Sequence, residues 1–167
     1  MKNSKLIIMF AVILVFIFLN ISHAASLLSD DFESYSTFPS GTWTNATGNG
    51  SWSIVTDGSK VARQTSTSSA TYLMVNGEST WRDYTYSAQV KPGSSGNRHG
   101  LIARFQDTKN YYFLILKDGS KVYLYKRVNG SESSLDYASF TYNSSTFYTL
   151  KIELIGTSIK GYVNGNL

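Results

Sequence analysis

Residues 84–91 read Tyr-Thr-Tyr-Ser-Ala-Gln-Val-Lys, and this octet decides the fold class. Tyr84, Tyr86, Ala88 and Val90 fall on one side of an extended chain, with Thr85, Ser87, Gln89 and Lys91 on the other. A period of two is what a strand with one buried face requires. The same alternation, rich in aromatic residues, continues through 99–106, 111–117, 121–128, 135–141, 147–155 and 158–163. Between these runs lie turn residues: Pro92 to Asn97, Asp107 to Asn110, Asp118-Gly119, Asn129-Gly130 and Asn143-Ser144. Asn-Gly and Asp-Gly pairs supply the positive φ angles that tight hairpins need.

Upstream, Trp52 to Val55 and Lys60 to Gln64 flank Asp57-Gly58 and predict a hairpin. Tyr72 to Val75 predicts a short strand ended by Asn76-Gly77, and Asp30 to Glu33 a first short strand. Residues 34–51 form a Gly/Ser/Thr/Asn-rich loop, and no amphipathic helix follows residue 24. Many strands at 8–12-residue spacing predict an all-β antiparallel sandwich of jelly-roll type, with a meander at its centre. Asn164-Gly165 is a further hairpin signal, and only Asn166 and Leu167 follow it. The expectation is therefore a sandwich whose final strands are missing.

Central pairing follows from turn lengths. A two-residue turn at Asp118-Gly119 pairs Lys117 with Ser120, Leu114 with Tyr123 and Phe113 with Leu124. A four-residue loop at 107–110 pairs Gln106 with Tyr111, Phe105 with Tyr112 and Arg104 with Phe113. One sheet face then carries Ile102, Arg104, Gln106, Tyr111, Phe113, Ile115, Val122 and Leu124. The other carries Leu101, Ala103, Phe105, Tyr112, Leu114, Leu116, Tyr123 and Tyr125. Neither face is purely polar, which fits a ligand-bearing surface or burial on both sides. A slip of one residue in either loop would exchange the faces.

The N-terminus reads as a signal peptide, residues 1–24. Lys2 and Lys5 precede an apolar run from Leu6 to Leu19, and Ser22-His23-Ala24 places small residues before a cleavage point. Fourteen apolar residues fall short of the roughly 18 to 20 that span a bilayer. Cleavage leaves residues 25–167, one domain long enough to bury a core, expected to be extracellular, monomeric and free of the membrane. There is no cysteine, so export brings no disulfide. Removing Lys2 and Lys5 from the 15 basic residues leaves 13 against 11 acidic ones, a net +2. So small a charge, without a zinc-finger spacing or phosphate loop, argues against nucleic acid as the partner.

Arg82-Asp83-Tyr84, the run His99 to Asp107 (HGLIARFQD), Asn110-Tyr111-Tyr112 and the late stretch Tyr148 to Gly165 carry a family likeness. Over about residues 30–167 the chain resembles the concanavalin-A-like, laminin-G-like jelly rolls attached to secreted bacterial polysaccharide-degrading enzymes. It is also similar to the related domain family named for 3-keto-disaccharide hydrolases. The resemblance implies a jelly roll with two further strands after the present end. It also implies a structural calcium ion clamping the first and last strands.

Trp81, Tyr86, Tyr112, Tyr123 and Tyr125, with Arg104 and Gln106, form a candidate carbohydrate-binding set. Sugar rings lay C–H faces on aromatic rings, while Arg and Gln bond hydroxyls, and rings lose little rotamer entropy on binding. The alternative is that these tyrosines fill the core, since tyrosine favours strands. Asp31 and Glu33, beside Asp30, are the candidate calcium ligands, against the alternative of a charged edge strand. Lys117, Lys121, Lys126 and Arg127 suit either a solubilising surface or an acidic plant cell-wall glycan such as polygalacturonate. No paired carboxylates of a glycoside hydrolase are evident: Glu78, Asp83, Glu132 and Glu153 are scattered, and His99 stands without a triad motif. The reading is a secreted, non-catalytic carbohydrate-binding module, accessory to a polysaccharide lyase or glycoside hydrolase. The alternatives are a fragment of a 3-keto-disaccharide hydrolase-like or lyase enzyme, and a laminin-G-type adhesion domain.

Overall fold

The computed structural model describes residues 26–48, 50–66, 70–93 and 98–167. The expected signal peptide lies outside the described residues, as do 67–69 of the polar loop and 94–97 of the Pro92–Asn97 turn.

Eleven strands occur among the described residues, and every pairing is antiparallel. They are β1 (Thr44–Asn45), β2 (Trp52–Asp57), β3 (Ser59–Gln64), β4 (Met74–Val75), β5 (Tyr84–Val90) and β6 (His99–Asp107). The rest are β7 (Asn110–Lys117), β8 (Lys121–Val128), β9 (Ser131–Ser139), β10 (Tyr148–Ile155) and β11 (Ser158–Val163). A four-stranded sheet runs in the order β6-β7-β8-β9, the expected meander, and a three-stranded sheet runs β11-β10-β5. Two small pairs, β2-β3 and β1-β4, complete the chain.

The two larger sheets pack face to face. Leu101, Ala103, Leu114, Leu116 and Leu124 of one meet Leu150, Ile152, Leu154 and Val163 of the other. Tyr84, Tyr86, Ala88 and Val90 line the same core, as their alternation predicts. Leu116, Leu150, Ile152 and Leu154 are essentially without exposure. Each contributes on the order of 2 kcal/mol by burial. Tyr86 is therefore a core residue rather than part of a binding face, and burial pushes its hydroxyl pKa upward.

Three sequence expectations change. The first strand at Asp30–Glu33 does not form. Asp30 Oδ1 accepts from the Phe32 amide at 2.9 Å and Asp31 Oδ1 from the Glu33 amide at 3.0 Å. Phe32 adopts φ 62° in the resulting turn. Aspartate side chains that capture nearby amides offer the backbone an alternative to a ladder.

The β7–β8 turn holds three residues instead of two, with Lys117 paired to Lys121, Leu114 to Leu124 and Phe113 to Tyr125. Asp118 and Gly119 both take positive φ, at 60° and 72°. That one-residue slip moves Tyr123 and Tyr125 onto the outer face with Phe113 and Ile115, and sends Val122 and Leu124 to the core.

A bulge interrupts β6, because Ala103 pairs with Tyr112 while Asp107 pairs with Asn110. Arg104 takes φ 46° there. Phe105 turns to the outer face to meet Tyr111 at 6.0 Å, and Arg104 and Gln106 turn to the Tyr112 side. Bulges re-aim side chains in this way and leave residues unpaired on one strand.

Candidate functional site

Three of the residues selected from sequence come together. Arg104, Gln106 and Tyr112 line a shallow cleft of about 420 Å³ with Arg82, Asp83 and Gly156. Tyr112 continues the inward row of Leu114 and Leu116, one step past the last core leucine, so its ring emerges where the sandwich opens. Asp83 precedes β5, and Gly156 sits in the β10–β11 turn at φ 54°. The cleft thus lies on the seam between the two sheets.

Hydrogen bonds fix that seam. The Arg104 amide donates to the Tyr84 hydroxyl at 2.6 Å, and its Nε donates to the Arg82 carbonyl at 2.9 Å. Arg104 Nη2 reaches the Gly156 carbonyl at 2.9 Å and Asp83 Oδ1 at 3.4 Å, while the Gly156 amide donates to Asp83 Oδ1 at 2.9 Å. Arg104 is therefore a clamp. Gln106 Nε2 donates to the Ser79 carbonyl at 3.2 Å, and Arg82 Nη1 to the same carbonyl at 2.7 Å. Asp83 Oδ2 and Gln106 Oε1 take no part in these bonds, and both residues line the cleft together with Tyr112. The arrangement suits a small hydroxyl-bearing ring: one aromatic face, acceptors and a guanidinium around it.

The other selected residues lie elsewhere. Trp81 is on the approach to β5, with its indole over Gly77 and edge-on to Tyr84 at 6.2 Å. A Cβ at Gly77, which has φ 102°, would stand 2.6 Å from that indole, so glycine is required there.

Tyr123 and Tyr125 belong to a ladder on the outer face of the four-stranded sheet. Ring centroids follow one another from Phe105 to Tyr111 (6.0 Å), Phe113 (5.4 Å), Tyr125 (5.0 Å), Tyr123 (5.3 Å) and Tyr137 (5.5 Å). Leu73 and Ala46 cover the Tyr111–Phe113 end, while Tyr137 on the edge strand is 63% exposed. Sequence reasoning missed Tyr137. Its signal was the alternation of β9, obscured because the Asn129-Gly130 hairpin returns at Ser131 and a bulge follows between its pairings to Leu124 and Tyr125.

Asp31 and Glu33 occupy the N-terminal turn. Glu33 Oε1 accepts from the Lys60 amide at 2.8 Å, and Lys60 Nζ donates to the carbonyls of Glu33 and Tyr35 at 2.8 and 2.9 Å. Asp30 anchors the turn: its Oδ2 accepts from the Tyr35 hydroxyl at 2.8 Å and from Trp43 Nε1 at 2.7 Å. Burial alone would raise the Asp30 pKa, but the bonds from Trp43, Phe32 and Tyr35 together hold it below 3.8. The Tyr35 hydroxyl is pushed up by the same contact. An ammonium group already occupies the carbonyl oxygens of this loop, and among the described residues no three acidic or histidine side chains gather as a metal-holding group. Asp31 and Glu33 by themselves supply fewer than the 6–8 oxygens that calcium takes.

No family model and no curated relative matches the chain. Among solved structures, it is similar to the carbohydrate-binding module CBM66 from Bacillus subtilis. The TM-score is 0.62 at 25% identity, over 75% of this chain and 76% of that one. The chain shares that module's β-sandwich fold. This likeness bears out the all-β antiparallel sandwich expected from strand periodicity.

Proposed function

We propose that the protein is a non-catalytic carbohydrate-binding module and that the Tyr112 cleft takes one sugar unit of its ligand. The observation that carries this reading is the convergence of Tyr112, Gln106, Asp83 and Arg82 at the seam of the sandwich. The likeness to a carbohydrate-binding module supports it. The Tyr112 ring stacks on the sugar, Asp83 Oδ2 and Gln106 Oε1 accept from hydroxyls, and Arg104 holds the walls. An open cleft of this depth gives weak binding to each unit, which suits a polymer that presents the unit many times. In this reading the protein works outside the cell. It keeps an attached lyase or hydrolase near its polymer, raising the effective concentration without any chemistry of its own.

The test is affinity electrophoresis of the protein through gels that hold single plant, fungal or bacterial polysaccharides. Retardation by at least one of them is expected, with loss in Tyr112→Ala and Asp83→Ala while the melting temperature of Tyr112→Ala stays within a few degrees. No retardation by any polysaccharide sinks the proposal, as does the failure to find a single polysaccharide whose retardation the two variants weaken.

A further inference from the structure

The outer-face ladder ends in an arrangement that the Tyr112 cleft does not use. Tyr123 and Tyr137 stand directly opposite on β8 and β9, with ring centroids 5.5 Å apart. Lys121 Nζ lies 5.5 Å from the Tyr137 centroid and 6.0 Å from that of Tyr123, and Lys117 Nζ lies 5.4 Å from the Tyr123 centroid. Lys117 and Lys121 are themselves paired across the β7–β8 turn. The three-residue turn therefore puts two ammonium groups over one pair of rings.

Their charge is poorly compensated. Further along the same face, Arg98 and Arg127 share Glu132, at 2.6 and 3.4 Å. Lys117 reaches Asp118 at only 3.7 Å. Among the described residues, no carboxylate lies within salt-bridge distance of Lys121. Lysines on a merely solubilising surface extend freely into water. Here ring contacts hold them in place, which lowers the entropy lost when an anion arrives. Beside them, Tyr137 presents an exposed ring, and Ser134 and Ser139 line the same side of the edge strand.

We infer that Tyr123, Tyr137, Lys117 and Lys121 form a second glycan site, specific for an anionic sugar. The sugar's carboxylate bridges the two ammonium groups, and its C–H face lies on Tyr137. Charge complementarity selects an acidic polysaccharide over a neutral one, and the exposed aromatic ring selects a sugar over a bare polyanion. This site is separate from the Tyr112 cleft and does not depend on it.

Binding is measured by affinity electrophoresis and calorimetry with polygalacturonate, its methyl ester, dextran sulfate and single-stranded oligo(dT). We expect retention by polygalacturonate that weakens as salt rises, and little retention by the ester. Lys121→Gln and Tyr137→Ala should each weaken binding about tenfold, the effect of losing one charge-assisted contact or one ring. Lys121→Arg should keep most of it, and Tyr112→Ala should leave it unchanged. Stronger binding of dextran sulfate than of polygalacturonate would assign the site to sulfated sugars and overturn the carboxylate assignment. Equal binding of oligo(dT) would reduce the site to a polyanion surface and overturn the glycan assignment. Failure to bind polygalacturonate, or binding indifferent to both variants, refutes the site while leaving the cleft proposal standing. Tyr137 is exposed on an edge strand, so its variant tests binding without disturbing the core.

Discussion

The backbone amide of Arg104 donates to the hydroxyl of Tyr84 at 2.6 Å. That bond ties the β6 bulge of one sheet to the first residue of β5 in the other. It satisfies an amide that the bulge removed from its ladder, and it holds a non-glycine residue at φ 46°. Tyr84→Phe leaves the amide part-buried without a partner. We expect a loss of about 1–2 kcal/mol in urea unfolding. Glycan retention should fall by more than that loss explains, because the Arg104 clamp on Gly156 slackens. Unchanged retention would mean that the bulge is held by its side-chain bonds alone.

Packing between the sheets turns on Gly161. It pairs with Ile152, and a Cβ there would stand 2.6 Å from Leu114 Cδ1 of the opposite layer. Leu114 is 2% exposed and has little room to yield. Gly161→Ala should destabilise the protein by about 1–3 kcal/mol through overpacking, read as a lower midpoint in chemical denaturation. The double variant Gly161→Ala, Leu114→Ala should recover part of the overpacking loss but add a cavity term.

Acid should weaken the N-terminal turn. The folded Asp30 carboxyl titrates below 3.8, and the unfolded chain restores its ordinary value. Its contribution is therefore complete above the ordinary value and is lost as pH falls through the folded one. Asparagine at this position keeps an acceptor but loses the charge. The stability gap between the protein and Asp30→Asn should be widest near neutral pH and close as the pH falls through the lowered value of the folded carboxyl. A gap that persists unchanged in acid would show that the charge of Asp30 is not what holds Trp43 and Tyr35.

The same turn bears on calcium. Lys60 Nζ sits on the carbonyls of Glu33 and Tyr35, so the turn carries its own cation. Calcium or a chelator should leave the thermal midpoint unchanged. Lys60→Ala should lower it, because two carbonyls lose a charged donor. A clear rise with calcium would place a metal site that this donor set does not provide.

Sequence alone determined the layers. Alternation in β5 and β10 reflects which residues water rejects, and that preference belongs to the side chains wherever the strand finally lies. The hairpin at Asp57-Gly58 and the turns at Asn129-Gly130 and Asn164-Gly165 were legible for a similar local reason. Residues at 129, 130, 164 and 165 take φ values of 50°, 83°, 49° and 85°, which Asn and Gly tolerate. Arg104, Gln106 and Tyr112 were recognisable as polar and aromatic residues suited to a ligand. Their meeting in one cleft was not, because the bulge that turns Arg104 inward is stabilised by Tyr84, twenty positions away.

Tertiary structure alone decided which tyrosines face out. A third residue in the β7–β8 turn reversed the faces of β8, and with them the places of Tyr123 and Tyr125. In a strand with apolar residues on both sides, pattern leaves the register open. It is fixed by the place that Leu124 and Val122 take in the core between the sheets, an interaction between layers that no local stretch encodes.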